Sequence, residues 1–267
     1  MPRAEIAGGS LAYDIAGRGE ALLFITGLSG VGSFWHSQIE AFSAHFTTIT
    51  FDHRGVGASK GAPPYSMEQW AQDAVALLDH LGIEKAHFAG HSTGGVIVQI
   101  VASERPERVA SAVLGGTWAT PDERFRRVFE LRRDVLAALG TEAYSLLGSL
   151  LMAPADQPFG PVPPQQADPS VIAARIEVLL SYEGAERLRR IHCPSFVIAA
   201  DDDVLIPPHM SRLVAEGIAG AELKILPSGG HSFPRSRAAD LNRLMLEFLL
   251  RNAGQPSKVA HGKGVGP

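Results

Sequence analysis

The chain has 267 residues with a formal net charge of -4, long enough for one sizeable core and without the clustered basic face that nucleic-acid binding requires. Its one cysteine, Cys193, excludes an intrachain disulfide and suggests a reducing compartment. Met1 to Glu5 offers no apolar signal core, and no run reads as the roughly 18 to 20 apolar residues of a spanning helix, so the expected location is the cytoplasm, with no membrane partner.

In chain order, Glu5 to Asp14 predicts two short strands around Gly8-Gly9, and Ala21 to Thr26 a buried strand that runs into a glycine loop. Phe34-Trp35 begins a helix, Thr47 to Asp52 is the next strand, and Ser66 to Leu81 is an amphipathic helix with Glu68 three positions beyond a cap at Tyr65-Ser66. Lys85 to Ala89 alternates apolar side chains and reads as a strand. It ends in Gly90-His91-Ser92-Thr93-Gly94, and the apolar residues from Gly95 to Ser103 recur at helical spacing until Pro106 closes the stretch. A strand, a tight turn with glycines two residues either side of a serine, and a helix form the context in which a serine hydroxyl is held out as a nucleophile. Val109 to Gly115 adds the sixth strand. Strands alternating with helices imply right-handed crossovers, a parallel sheet covered on both faces, and ligands bound beyond the C-terminal strand ends.

After Gly115 the alternation stops for some seventy residues. Thr120-Pro121-Asp122-Glu123 reads as N-cap, first-turn proline and capping-box glutamate of a helix that runs to Leu139 and is ended by Gly140. Ala153 to Pro169 holds six prolines and reads as an extended connector or lid edge, and Ser170 to Ser181 as a second helix. Arg124, Arg126, Arg127, Arg132 and Arg133 lie within helical reach of Glu123, Glu130 and Asp134, so a salt-linked solvent face is expected in preference to a site for an anionic substrate. The sheet resumes at Ser195 to Ala200, which ends in Asp201-Asp202-Asp203. A last strand, Leu223 to Pro227, leads into Ser228-Gly229-Gly230-His231. Asn252 to Pro267 is rich in glycine, proline and lysine and reads as a flexible tail.

These segments put a serine, a set of aspartates and a histidine at strand tips in the order Ser, Asp, His, with Ser92 as nucleophile, His231 as general base, and one of the three aspartates holding the imidazole. Together with Phe24-Ile25-Thr26-Gly27-Leu28-Ser29-Gly30 and the run Phe51-Asp52-His53-Arg54-Gly55-Val56-Gly57-Ala58-Ser59, they resemble the α/β-hydrolases of the cap-bearing type. Thr26-Gly27 stands where that family usually has His-Gly. The resemblance covers most of the chain and implies an α/β-hydrolase fold: a core of residues 1–117 and 191–251, a helical cap of 118–190 inserted after the sixth strand, and a tail of 252–267.

It also implies Asp203 as the triad acid, from the spacing of Ala200 to Pro207, with Asp202 as the alternative, and the backbone N–H groups of Leu28 and Thr93 as the oxyanion hole. Trp118 and Phe233 are taken as substrate-binding residues, core packing being the other role open to Trp118. No metal or organic cofactor is needed for this chemistry. Enol-lactone hydrolases, aminoacrylate hydrolases and carboxylesterases are the similar members. They imply a small-molecule ester or lactone as substrate, with C–N or C–C hydrolysis, or a non-catalytic ligand receptor on the same fold, as alternatives. Monomer and homodimer are equally compatible with the sequence.

Overall fold

A computed structural model of the chain describes residues 1–28 and 30–254. The β-rich runs join one sheet of nine strands: β1 (Arg3–Ile6), β2 (Gly9–Gly17), β3 (Ala21–Ile25), β4 (Thr47–Phe51), β5 (Lys60–Gly61), β6 (Ala86–His91), β7 (Val109–Gly115), β8 (Ser195–Ala200) and β9 (Glu222–Leu226). Their spatial order is β1-β2-β4-β3-β6-β7-β8-β9, with β5 paired to β2. β1, β2 and β5 run antiparallel to their neighbours, and every pairing from β4 to β9 is parallel. This is the α/β-hydrolase fold. The short pair β5 is the one strand the sequence pattern did not offer, so the inserted helices follow the seventh strand in chain order, not the sixth.

The central strands are buried on both faces, and their side chains divide by parity as the pleat requires. Leu23, Ile25, Phe88, Ala112, Leu114 and Val197 enter one core with α2 (Met67–His80), α3 (Thr93–Glu104) and α6 (Pro208–Gly217). Leu22, Phe24, Ala89, Val113, Phe196 and Ile198 enter the other with α1 (His36–Phe42) and α8 (Ala238–Arg251). Phe34-Trp35 lies in a 3-10 turn that leads into α1. The cap of α2 is Ser66, whose hydroxyl accepts from the Gln69 amide at 3.0 Å, which makes Gln69, not Glu68, the third residue of the first turn.

Between β7 and β8 lie two α-helices, α4 (Glu123–Met152) and α5 (Pro169–Ser181), a 3-10 segment at Ala185–Arg190, and no strand. Asp122, not Thr120, caps α4, its carboxylate accepting from the Phe125 amide at 2.7 Å. Gly140 breaks the helical geometry as expected, at φ 79°, but the helix restarts at once and runs on to Met152. One 18-residue window of α4 reaches a mean hydropathy of 1.5, an apolar run the sequence reading passed over. The break at Gly140 leaves helical pieces too short to cross a bilayer core of about 30 Å at 1.5 Å per residue. Of the expected tail, residues 255–267 lie outside the described residues.

Candidate active site

Ser92 is the sole residue other than glycine with positive φ among the described residues, at φ 57° and ψ -123°. A side chain tolerates that region at a cost of about 1 to 3 kcal/mol, and the surroundings hold it there. The Ser92 amide donates to the Gly115 carbonyl at 2.8 Å, and the Thr117 hydroxyl donates to the Ser92 carbonyl at 2.8 Å. The flanking glycines are steric necessities: a Cβ on Gly90 would collide with the Gly94 carbonyl, and one on Gly94 with the carbonyl oxygen of Ile25. β6 therefore turns directly into α3 with Ser92 at the apex. Thr93 follows as the first residue of that helix, where amides have no intrahelical acceptor and the positive end of the helix dipole lies.

Asp203 is buried, and both its oxygens are engaged. Oδ1 accepts from the amides of Leu205 at 2.9 Å and Ile206 at 2.8 Å, and Oδ2 meets His231 Nδ1 at 2.7 Å. Asp202 points elsewhere and accepts from the Gly230 amide at 2.8 Å, while Asp201 is exposed. The neighbouring carboxylates thus divide the work: Asp203 reaches the imidazole, and Asp202 fixes the glycine turn that carries it. That turn has positive φ at Gly229 and Gly230, and the Ser232 amide donates to the Met152 carbonyl at 3.0 Å, tying the histidine loop to the end of α4.

Ser92 and His231 line one cavity of about 330 Å³, roofed by α4 and the proline-rich connector. Leu28 lines it as well, and Gly27 lies so close that a Cβ there would stand 3.0 Å from the Cβ of Ser92. No hydrogen bond joins the Ser92 hydroxyl to the His231 ring in this structure, a looseness common before substrate binds. His91, beside Ser92 in the pentapeptide, packs 4.6 Å from the His231 ring and stacks on Phe34 at 5.4 Å. Burial, with the charge of His231 beside it, holds its pKa well below the ordinary histidine value. It serves as a neutral wall.

Trp118 and Phe233 do not line the cavity. Both have no exposed surface: Trp118 packs on Phe125 at 4.7 Å within the core, and Phe233 lies behind His91 at 5.3 Å. Position after a strand end suggests a place near the site, but Trp118 is enclosed against Phe125 of α4 and Phe233 behind His91, both outside the lining. The expected salt-linked face of α4 holds for three arginines, and a fourth, Arg124, meets only a backbone carbonyl. Arg127 pairs with Glu123 and Glu130, Arg133 with Asp134 and Glu177, Arg126 with Glu183, and Arg124 donates to the Val204 carbonyl. Arg132 departs from it, being buried in the cavity wall against Phe129 and Tyr144.

A strained serine on a strand-to-helix turn, with an imidazole held by a buried carboxylate at adjacent strand tips, defines a fold family that the comparisons with known proteins also give. The profile described as the alpha/beta hydrolase fold matches residues 20–158. RutD of Azorhizobium caulinodans, assigned as a carbamate hydrolase, is 36% identical over 259 residues, covering 93% of this chain and 98% of that protein. RutD of a Caulobacter species is 34% identical, covering 86% and 90%. Among solved structures, the enol-lactonase of Burkholderia xenovorans superposes with a TM-score of 0.84 at 26% identity, covering 93% of this chain and 100% of that one. The chain belongs to the α/β-hydrolase family and is a hydrolase of that fold.

Proposed function

We propose that the protein is a serine hydrolase that cleaves a small carbonyl substrate through an acyl-enzyme. The observation that carries this reading is the 2.7 Å contact of His231 Nδ1 with the buried Asp203, made at the wall of the cavity that also holds the strained Ser92. With Nδ1 engaged, Nε2 is the atom that takes the Ser92 proton as Oγ bonds to the carbonyl carbon. The tetrahedral oxyanion is met by the amides of Leu28 and Thr93, donors typically worth about 3 kcal/mol each in the transition state. Collapse breaks the bond to the leaving group, which departs with the proton from His231. Water then attacks the acyl-serine with the same base, releasing the acid and restoring Ser92. In this reading α4, the connector and α5 act as the cap that selects substrate.

For the bond cleaved, similarity to the RutD proteins at 34 to 36% identity over most of the chain supports a C–N bond of the carbamate kind. A small ester or lactone is the second reading, supported by likeness to the enol-lactonase at 26%. Release of p-nitrophenol from p-nitrophenyl acetate and butyrate, with Ser92→Ala beside the parent protein, tests the acyl-enzyme. The expected result is turnover reduced by about 10⁴-fold or more in the variant, which still folds. Equal turnover by both proteins would remove Ser92 from the chemistry. A panel of small carbamates and lactones then ranks the two bonds by kcat/KM.

A further inference from the structure

The wall of the cavity opposite the strand tips contains a cation with no anion. Arg132 is buried, and among the described residues it forms no ion pair, whereas Arg126, Arg127 and Arg133 on the same helix each meet a carboxylate. Its Nη2 donates to the Tyr144 hydroxyl at 2.9 Å, and its Nε has no partner. The Phe129 and Tyr144 rings flank the guanidinium at 5.2 and 4.9 Å, which holds it flat and recovers part of its lost hydration. Gly148 stands against the same group. A Cβ there would come 3.3 Å from Nη2, so glycine leaves that edge uncovered toward the cavity.

Among the described residues, those lining the cavity include a second arginine, Arg235, exposed at its rim over the Phe34 ring at 5.2 Å, and no aspartate or glutamate. An arginine deep in the wall and another at the rim give an anion a favourable path inward. A buried guanidinium with unused donors is costly unless something satisfies it, and a planar fork of N–H groups matches a carboxylate best.

We infer that Arg132 is the substrate-anion site of this hydrolase, and that the substrate is a small acyl compound bearing a carboxylate remote from the scissile carbonyl. The inference rests on the reading of the cavity as the hydrolytic site. Tyr144 orients the guanidinium through its hydroxyl, and the substrate carboxylate supplies the kind of partner that Arg126, Arg127 and Arg133 of α4 find in the protein itself. Bound this way, the anionic end lies against α4 and the carbonyl faces Ser92.

The test compares two esters of equal chain length, mono-p-nitrophenyl glutarate and p-nitrophenyl valerate, in which a carboxylate replaces a methyl group. The parent protein should prefer the glutarate ester in kcat/KM by about tenfold or more, and Arg132→Gln should lower that ratio by about 10- to 100-fold, chiefly through KM, as loss of a charge-assisted pair predicts. Arg132→Lys, which keeps the charge and loses the fork, should give an intermediate ratio and carries the test if circular dichroism finds Arg132→Gln unfolded. A parent ratio near one, or a ratio the folded variant leaves unchanged, overturns the inference.

If neither ester turns over, the hydrolytic reading fails on this panel while the anion site is still decided by calorimetry. Glutarate should bind Ser92→Ala saturably and at least about tenfold more weakly when Arg132→Gln is added. Absent binding, or equal binding to both, overturns it.

Discussion

The strand tips and the inserted helices build opposite walls of one cavity by different means. Ser92, Asp203 and His231 sit on turns whose shapes are imposed by the backbone: collisions at Gly90 and Gly94, positive φ at Gly229 and Gly230, and amides of residues 205 and 206 converging on one carboxylate oxygen. The insert contributes the sides of helices, where aromatic rings and an arginine meet the cavity through side-chain choice alone. In the proposed reading, the groups assigned the chemistry are thus fixed by main chain, and the groups assigned to substrate recognition are fixed by packing. Changes at the tips should alter rate by orders of magnitude, and changes in the insert should alter preference.

The sharpest division lies within the tip wall, between adjacent aspartates. Asp203→Asn replaces the oxygen that meets Nδ1–H with a group that can present a donor to it, and kcat should fall by about 10³- to 10⁴-fold. Asp202→Asn keeps a carbonyl acceptor for the Gly230 amide, so the loss should stay within about tenfold. Steady-state kinetics on one active ester, with both variants checked for folding, measures the difference. A larger loss at Asp202 would mean that anchoring the glycine turn matters more than holding the ring.

How much of this was legible in the sequence follows the same division. Glycines at fixed offsets from a serine, and two glycines before a histidine after a strand, are backbone signals, and the structure brings Ser92 and His231 to one cavity. The choice of Asp203 over Asp202 came from resemblance alone, because three consecutive carboxylates differ only in the direction each takes at a strand end. In the insert, charge spacing suggested a solvated arginine face, yet the buried positions of the first part of α4 are Phe125, Phe129, Arg132 and Leu136, an apolar helical period with arginine in one place. That register was the available signal for Arg132. Arg175 occupies the same kind of position among Ile172, Ile176 and Leu179, and lies over Trp70 at 4.0 Å, away from the cavity lining. Period alone could not tell which of the two faces the site, since that depends on how the insert docks. Trp118 and Phe233 differ from expectation for the converse reason: proximity in sequence to a strand tip does not decide whether a ring reaches the cavity or is buried behind its wall.

A second contrast tests whether backbone sterics hold the turn that carries Ser92. Gly94→Ala drives a methyl group into the Ile25 carbonyl, a group of the neighbouring strand that cannot withdraw without opening the sheet, and should cost more than about 3 kcal/mol in urea unfolding. Gly82→Ala, at φ 67° with open space around it, bears only the conformational penalty, about 1 kcal/mol. Similar costs at the two sites would show that the turn yields more readily than its contacts indicate.

The smallest effect concerns the floor beneath the loop that carries Gly27 and Leu28. His53 Nε2 lies 3.0 Å from the carbonyl oxygen of Thr26, the residue before Gly27 and Leu28, and burial, with Arg175 nearby, lowers its pKa from 6.5 to about 3. The folded state therefore holds His53 neutral, with its N–H on Nε2, under conditions in which the unfolded chain binds a proton. Its contribution to stability is complete above about pH 6.5 and declines as the pH falls toward 3, by about 1.4 kcal/mol per pH unit for one proton. His53→Gln has an amide N–H to offer Thr26 and cannot titrate, so its stability should fall less between pH 7 and 5 than that of the parent, by the slope of one proton. Urea melts of both proteins at the two pH values measure it. Parallel loss in the two would assign the acid sensitivity to other groups, His91 first among them, since it too is buried with a lowered pKa.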